Sequence, residues 1–142
     1  LDIKTFIIFK FRTMKNNMEN IASHLLNKKE SNYIKSGIFL RKYSIDELPQ
    51  LINILKGDMV FIGPRPSLYN QYDLIKERTK LGIHKLTPGV TGWAQVNGRD
   101  NNSLEEKISK DNYYLLNKSF NLNIKIFFLT IIKVLLTSGV KN

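Results

Sequence analysis

Cysteine is absent from the 142 residues of this chain. Disulfide bonds and thiolate metal sites are therefore excluded, and the absence is consistent with a reducing compartment. No apolar run reaches the roughly 20 residues that a membrane-spanning helix needs. Acidic residues are few: 12 Asp and Glu stand against 22 Lys and Arg, which leaves a formal net charge of +10. Such a surplus favours an anionic partner, which could be nucleic acid, phosphorylated small molecules or an acidic membrane surface.

The hydrophobic residues that are present, 42% of the chain, are enough for one domain with a modest core. We expect residues 1–142 to form a single, mostly helical α/β domain with a short sheet. Because the chain begins without Met and directly with strand-like sequence, we also expect that an N-terminal part is missing. The patterns predict strands at 5–12 and 59–63, helices at about 15–28, 44–55, 67–81, 103–117 and 120–137, and loops at 27–37 and 82–102.

The stretch YSIDELPQL, residues 43–51, combines two adjacent carboxylates with a proline. Ser44 and Glu47 have the spacing of a capping box, which predicts that a helix begins at Ser44. Asp46 then lies in the first turn, where free amides and the helix dipole favour an ionised carboxylate that can act as nucleophile, base or metal ligand. The alternative is that both acids only stabilise a helix start. Pro49 lacks the amide that a regular helix needs, and therefore predicts an irregular first turn.

Two segments carry apolar residues at helical spacing. The last helix contains IKIFFLTIIKVLL, residues 124–136, in which Lys125 and Lys133 lie about 80° apart on the helical wheel. This helix is either buried in the core or lies in a membrane interface with its lysines toward anionic headgroups. In the segment that begins at Ser44, the spacing predicts a buried face formed by Ile45, Leu48, Leu51, Ile52 and Leu55.

The segment GPRP, residues 63–66, presents Arg65 between two prolines that restrict the backbone on both sides. A guanidinium held in this way is a natural bidentate partner for phosphate, although a rigid turn with an arginine in solvent explains the pattern equally well. Further basic residues lie at Lys10, Arg12, Arg41 and Lys42, and Lys10 and Arg12 are expected on the same face of the predicted strand.

The segment TPGVTGWAQVNGR, residues 87–99, contains three glycines, which allow the backbone to approach a ligand closely. Arg99 at its end is a second candidate phosphate ligand, and Trp93 is expected to fill the core. No spacing typical of a zinc site, a phosphate-binding loop or a Ser-His-Asp set is present. The chemistry that the sequence favours therefore combines carboxylates with arginines.

In their order and spacing, the segments FKFRTM, SIDELPQLINILKGDMVFIGPRP and TPGVTGWAQVNGR resemble the bacterial sugar transferase family, the monotopic polyprenyl-phosphate phosphoglycosyl transferases. The tail DNYYLLNKSFNLNIKIFFLTIIKVLLTSGV resembles the C-terminal helices of that family, so the resemblance covers essentially the whole chain. It implies a magnesium-dependent enzyme with interfacial amphipathic helices at the cytoplasmic face of the bacterial cell membrane. It also implies transfer of a phospho-sugar from a UDP-sugar to polyprenyl phosphate, usually undecaprenyl phosphate, with release of UMP and a covalent aspartyl intermediate.

Matched position by position, the resemblance implies that Asp46 is the nucleophile and that Glu47 beside it binds magnesium, with Asp46 as a further metal ligand. Arg65 is expected to hold phosphate, and Asp111 matches an acid without a clear role. Four basic residues are expected around the same site: Arg41, Lys10, Arg12 and Arg99. The implied partners are a UDP-sugar, polyprenyl phosphate and a membrane interface, with no nucleic acid.

The chain departs from the family pattern in two respects. It lacks the re-entrant membrane helix that the family has before FKFRTM, so we expect a truncated gene or a fragment. Asn123 stands where relatives usually carry an aspartate, and we expect a packing difference there. An inactive, truncated relative that acts as an interaction domain is therefore an alternative. A basic nucleic-acid-binding module is less favoured, because no known binding motif is present. The sequence identifies neither the sugar nor the glycan pathway.

Overall fold

The computed structural model describes residues 4–15, 33–98 and 101–136. Within these residues the chain forms six α-helices and one sheet of two parallel strands, which confirms the predicted, mostly helical α/β fold. In chain order the elements are α1 (Lys35–Lys42), a 3-10 turn (Ile45–Glu47), α2 (Gln50–Leu55), β1 (Val60–Ile62), α3 (Tyr72–Lys80), a second 3-10 turn (Ile83–Lys85), β2 (Gly89–Thr91), α4 (Trp93–Val96), α5 (Leu104–Asn117) and α6 (Phe120–Leu135).

The two strands and the residues after them are held by close backbone contacts at glycine. Gly63 N donates to Thr91 O at 2.8 Å, and Gly89 N donates to Pro64 O at 2.9 Å. A Cβ atom at either Gly89 or Gly92 would clash with the backbone of Gly63. These two glycines therefore bring β2 against the Gly63 turn, whereas the sequence had suggested close approach to a ligand.

The core lies where α4, α5 and α6 meet. Val96, Tyr114 and Ile126 are buried there, and Trp93 packs against them, which confirms its predicted place in the core. The Tyr114 hydroxyl donates to Asn123 Oδ1 at 2.9 Å and so ties α5 to α6. Asn123 thus contributes a contact between α5 and α6, and the difference in packing from relatives that was expected at this position stays a prediction.

The strand predicted at 5–12 is wrong. Residues 5–12 form no strand with any described part of the chain, and they bond instead to the first 3-10 turn and to α2. The buried side chain of Asn53 binds this segment: Asn53 Nδ2 donates to Ile7 O at 2.6 Å, and Phe9 N donates to Asn53 Oδ1 at 3.1 Å. Phe11 N also donates to the carbonyl oxygen of Asp46 at 3.0 Å. These bonds fix the segment beside the carboxylate pair.

Several helix boundaries differ from the predictions. α1 begins at Lys35, inside the predicted loop 27–37, and α3 begins only at Tyr72. The helix predicted at 15–28 lies outside the described residues except for its first position, which is not helical. The capping box at α5 is confirmed, since Ser103 N donates to Glu106 Oε2 at 2.8 Å and Glu106 N donates to Ser103 Oγ at 3.2 Å.

The predicted buried face of α2 points outward. Leu55 is 88% exposed, and Leu48, Leu51 and Ile52 are exposed as well, whereas Asn53 is 0% exposed. The reason is the bonding of Asn53 to the 4–15 segment, which turns the polar side of the helix inward. α6 is not a buried core helix either, because Ile126 is its only buried residue. No helix in the described ranges combines the length and apolar content needed to cross a membrane.

Candidate active site

Asp46 and Glu47 lie in the 3-10 turn that precedes α2. Ser44 before them has a left-handed backbone conformation with φ 57°, which is uncommon for a residue with a side chain. The predicted irregular turn is therefore confirmed, but the predicted capping box is wrong, because the Ser44 side chain does not cap this turn. Pro49 occupies the N-cap position of α2, so the α-helix begins just after it and no helical hydrogen bond is lost.

Glu47 is bound by two cations from distant parts of the chain. Arg65 Nη2 lies 2.6 Å from Glu47 Oε1, and Lys10 Nζ lies 2.9 Å from the same oxygen. Burial by itself raises the pKa of Glu47, but the charges and hydrogen bonds of Arg65 and Lys10 outweigh it and hold that pKa well below its ordinary value. Glu47 is therefore ionised throughout the physiological range and organises the two cations.

Asp46 differs from its neighbour in its electrostatic environment. Its residue surface is 7% exposed, and no salt bridge reaches its carboxylate from the described part of the chain. Burial and then the charge of Glu47 raise the pKa of Asp46, while Lys10, Arg41 and Arg65 act from a distance in the opposite direction. Desolvation thus opposes the helix-end effect that was expected to keep Asp46 ionised, and the ionised state of Asp46 stays a prediction. Asp46 is a poorly compensated carboxylate beside a fully paired one.

The other three predicted basic residues are Arg41, Arg12 and Arg99, and the two that the structure describes form no ion pair with Asp46 or Glu47. Arg41 is half-buried, has its guanidinium carbon 5.3 Å from the ring centroid of Tyr33, and contributes to the field at Asp46. Arg12 is exposed on the extended segment, and no salt bridge within the described residues joins it to either carboxylate. Arg99 lies outside the described residues.

Asp111 does not lie with the carboxylate pair. It contacts the site indirectly, through Arg78. It is 1% exposed and forms an ion pair with Arg78, whose Nη2 lies 2.5 Å and whose Nε lies 3.0 Å from Asp111 Oδ2. Arg78 Nη1 in turn donates to the backbone oxygen of Arg65 at 2.7 Å and to Ser67 Oγ at 2.9 Å. The buried pair therefore fixes the backbone that presents Arg65 to Glu47.

Arg78 was missed by sequence reasoning. It lies in a polar, amphipathic helix among other charged residues, and only its burial separates it from them. Burial raises the pKa of Asp111, against the influence of Arg78, so the carboxylate depends on that guanidinium for its charged form.

A cleft of about 240 Å³ opens at Glu47, the residue that follows the buried Asp46 in the chain. Glu47 and Arg65 line it together with Gln95 and with Lys133 from α6. Much of the remaining wall is apolar: Leu48, Leu51, Phe61, Val90, Val96 and Val134. The cleft therefore combines the Glu47 carboxylate, the cations of Arg65 and Lys133 and an apolar wall.

Residues 1–137 match the bacterial sugar transferase family. The chain belongs to this family. A sugar transferase named EpsL from Bacillus subtilis is 44% identical over 139 residues, which are 98% of this chain and 67% of that protein. The sequence resemblance to the bacterial sugar transferases is thus confirmed over nearly the whole chain.

Two further members of the family carry names that state a reaction. A UDP-glucose:undecaprenyl-phosphate glucose-1-phosphate transferase from Escherichia coli is 38% identical over 141 residues, which are 94% of this chain and 30% of that protein. A UDP-N-acetylgalactosamine-undecaprenyl-phosphate N-acetylgalactosaminephosphotransferase from Aeromonas hydrophila is 36% identical over 143 residues, 97% of this chain and 34% of that protein. The chain spans about one third of these two relatives, and their sugars differ.

The residues present fit a magnesium ion bound in the manner that is usual for this cation. No group of three or more acidic, His or Cys side chains that could hold a metal occurs within the described ranges. Magnesium in proteins commonly uses one or two carboxylates and completes its shell with substrate phosphates and water. Asp46 can supply one carboxylate, and Glu47 can supply a second through Oε2, since Arg65 Nη2 and Lys10 both contact Oε1. Burial and the charge of Glu47 raise the pKa of Asp46, so an added positive charge would be favoured there.

Replacing Glu47 with Gln is expected to lower stability at neutral pH, because Arg65 and Lys10 would lose their shared counter-charge. The pKa of Glu47 is lower in the folded state than in the unfolded state. Its contribution is therefore present above the unfolded pKa, near 4.5, and is lost as the pH falls toward the folded value. Urea unfolding of both proteins at pH 7 and pH 3 measures this.

The difference in unfolding free energy between wild type and Glu47→Gln should shrink at the acid end of that series. A Glu106→Gln variant, which removes a surface carboxylate from the α5 capping box, serves as control. A Glu47→Gln difference that stays constant from pH 7 to pH 3 would show that Glu47 is not held ionised by the two cations.

Proposed function

We propose that this chain is the catalytic domain of a phosphoglycosyl transferase, which moves a phospho-sugar from a UDP-sugar to polyprenyl phosphate and releases UMP. The observation that carries the proposal is the contrast within the carboxylate pair: Glu47 is bound by Arg65 and Lys10, whereas Asp46 is buried without a salt bridge from the described residues. Asp46 can act as the nucleophile because no cation among the described residues pairs with its carboxylate oxygens. Glu47 meanwhile holds Arg65 and Lys10 in place for the phosphates of the substrate. Membership of the sugar transferase family and the reactions named for two relatives support the same conclusion.

In the first half-reaction, a carboxylate oxygen of Asp46 attacks the β-phosphorus of the UDP-sugar. The bond from that phosphorus to the bridging oxygen breaks, and UMP leaves with the electron pair. The sugar phosphate is then an acyl phosphate on Asp46. Arg65 is suited to the donor phosphates, because guanidinium binds phosphate oxygens with directed hydrogen bonds. Its ion pair with Glu47 keeps it oriented before the substrate arrives.

In the second half-reaction, a phosphate oxygen of polyprenyl phosphate attacks the same phosphorus. The bond to Asp46 breaks, the carboxylate is regenerated, and the product is a polyprenyl diphosphate sugar. Each half-reaction brings an anionic nucleophile to an anionic phosphorus centre. Positioning and charge stabilisation by Arg65 and Lys10 therefore contribute most of the catalysis. Arg41 adds a positive field at Asp46.

We propose Mg²⁺ as the cofactor, held by the carboxylates of Asp46 and Glu47. Magnesium would supply neutralisation of the phosphate charge on the donor. The role of the chain's own residues is to keep both carboxylates adjacent, through the 3-10 turn and the left-handed Ser44 that precedes it.

We further propose that α2 and α6 contact a bacterial membrane at its cytoplasmic face. Both helices expose large apolar side chains to solvent, among them Leu55, Phe127, Phe128 and Leu135. α6 also carries Lys125 and Lys133, and Lys56 directly follows α2; apolar helix faces with lysines close by are typical of interfacial binding. This orientation would bring a lipid-linked acceptor close to the cleft, which α2 and α6 both line.

The direct test is UMP release. The protein is incubated in detergent with Mg²⁺, undecaprenyl phosphate and a panel of UDP-sugars. Release that requires both the lipid phosphate and Mg²⁺ is the expected result, and the active donor names the sugar. Absence of release across the panel, with a folded protein, would favour the inactive interaction domain instead.

A further inference from the structure

Lys133 shares the active-site cleft with Glu47 and Arg65 although it lies far from them in the sequence. It is contributed by α6, whereas Glu47 comes from the turn before α2 and Arg65 from the segment after β1. The side chain is half-buried within a helix that is otherwise largely apolar. A cation held in such surroundings is expected to have an anionic partner.

That partner is not found among the described residues. No salt bridge or hydrogen bond within them involves the Lys133 ammonium group. Lys125, the other lysine of α6, is exposed and lies 5.5 Å from the ring centroid of Trp93. The two lysines of this helix therefore differ: Lys125 lies over an aromatic ring, and Lys133 lines the cleft with no ion pair to a described residue.

The wall around Lys133 indicates the kind of anion that belongs there. Leu48, Leu51 and Phe61 line the same cleft, and Val134 lies next to Lys133 itself. A wholly polar ligand would leave this apolar wall in contact with water or with hydroxyl groups. A phosphate attached to a hydrocarbon chain satisfies both the ammonium group and the wall. Of the two substrates, only the polyprenyl phosphate acceptor has that composition.

We propose that Lys133 binds the phosphate of the polyprenyl acceptor, with the first isoprene units against Leu48, Leu51 and Phe61. This inference rests on the proposed transferase function. It assigns the acceptor's phosphate to a cation other than those that hold Glu47. The acceptor phosphate is thereby held in the cleft that Glu47 lines, next to the 3-10 turn that carries Asp46.

The kinetic test compares Lys133→Gln with wild type, using Lys125→Gln as the matched control from the same helix. In a two-step mechanism with a covalent intermediate, kcat/KM for each substrate reports only on its own half-reaction. Loss of one charge-assisted contact to phosphate should lower kcat/KM for the acceptor by about 10- to 100-fold. The same constant for the UDP-sugar should stay within about twofold, and Lys133→Arg should restore part of the acceptor constant.

A binding measurement separates failure of this inference from failure of the transferase function. Isothermal titration calorimetry of wild type with farnesyl phosphate needs no turnover, and farnesol and inorganic phosphate serve as the half-ligands. Lys133→Gln should weaken farnesyl phosphate binding by about 10- to 100-fold, and Lys125→Gln should not. Tight binding that depends on Lys133 in a protein without turnover would refute the proposed function but support the acceptor site.

Three outcomes would overturn the inference. Farnesyl phosphate could bind wild type and Lys133→Gln equally, or the substitution could lower kcat/KM for the donor instead of the acceptor. Finally, both lysine variants could lose binding to anionic lipid vesicles equally while acceptor kinetics stay unchanged. That result would make Lys133 a general contact to lipid headgroups. Circular dichroism of each variant confirms that the fold is retained.

Discussion

Asp46→Asn is expected to abolish transfer, with turnover falling by about 10⁴-fold or more, as is typical when a covalent nucleophile is removed. The amide of Asn is a poor nucleophile, and Glu47 cannot replace Asp46 because Arg65 and Lys10 bind its carboxylate. The measurement is UMP release with and without lipid acceptor, and both should be lost together. Loss of only the acceptor-dependent part would place Asp46 in the second step alone.

The same substitution should leave the protein as stable as wild type or more so. Burial raises the pKa of Asp46 in the folded state, so its contribution to stability is greatest at acid pH and is lost as the pH rises through the folded pKa. Relative to wild type, Asp46→Asn should therefore gain stability as the pH is raised from 4 to 8. Urea unfolding across this range distinguishes lost chemistry from lost structure.

Asp58→Asn is the matched control for Asp46→Asn. Asp58 is a partly buried acid that pairs with Lys4 at 3.4 Å and with Lys56 at 4.0 Å, and it lies outside the 3-10 turn that carries Asp46 and Glu47. Its activity should stay within about twofold of wild type, because pairs with exposed lysines contribute little. Near-normal turnover in Asp46→Asn, or an equal loss in Asp58→Asn, would contradict the assignment of the nucleophile.

Arg78→Met is the second substitution for which we expect a large effect, and it should act mainly by lowering the free energy of unfolding. The change would leave the Asp111 carboxylate buried without its counter-charge, and removing one partner of a buried ion pair costs about 3–5 kcal/mol. It would also remove the hydrogen bonds from Arg78 to the Arg65 carbonyl and to Ser67. We therefore expect a large drop in the free energy of unfolding, measured in urea, together with reduced turnover.

Lys80→Met provides the control for Arg78→Met, since it lies on the same helix and removes the same kind of charge. Its pair with Glu77 is exposed and should contribute no more than about 0.5 kcal/mol. Equal destabilisation by both changes would mean that the Arg78–Asp111 pair is not a support of the Arg65 segment. Double replacement with Asp111→Leu should recover stability without recovering activity, because the contacts of Arg78 to Arg65 and Ser67 stay absent.

Two identical sequence patterns had different outcomes, and the difference is physical. Ser103 and Glu106 form the predicted capping box, whereas Ser44 and Glu47, with the same spacing, do not. Glu106 is exposed, so the local backbone amide is its best partner. Glu47 instead meets Arg65 and Lys10, which come from other parts of the chain and offer stronger, charged bonds. Local spacing carries no information about such distant partners.

The orientation of α2 could not be predicted for a related reason. Periodicity correctly grouped its apolar residues on one side, but that side faces outward. Asn53 determines the orientation by bonding to the backbone at Ile7 and Phe9, and nothing near Asn53 in the sequence indicates those partners. In a protein that contacts a membrane, an apolar helix face also has a second possible destination besides the core.

The residues of the site likewise divide into those that the sequence predicted and those that only the packing of distant segments reveals. Asp46, Glu47 and Arg65 were predicted, because family motifs mark them and the structure brings Glu47 and Arg65 together. Arg78 was missed, and the position of Lys133 in the cleft was not foreseen. Both lie in helices where lysine and arginine are ordinary surface residues, so only packing reveals their partners.

The most direct test of the mechanism is the mass of the protein after incubation with its UDP-sugar and Mg²⁺ in the absence of any lipid acceptor. The mechanism predicts an added sugar phosphate on the peptide that contains Asp46, together with a stoichiometric burst of UMP. Addition of polyprenyl phosphate should remove the adduct and yield the lipid-linked product. UMP that forms only when the acceptor is present, with no adduct at any time, would contradict a covalent intermediate on Asp46.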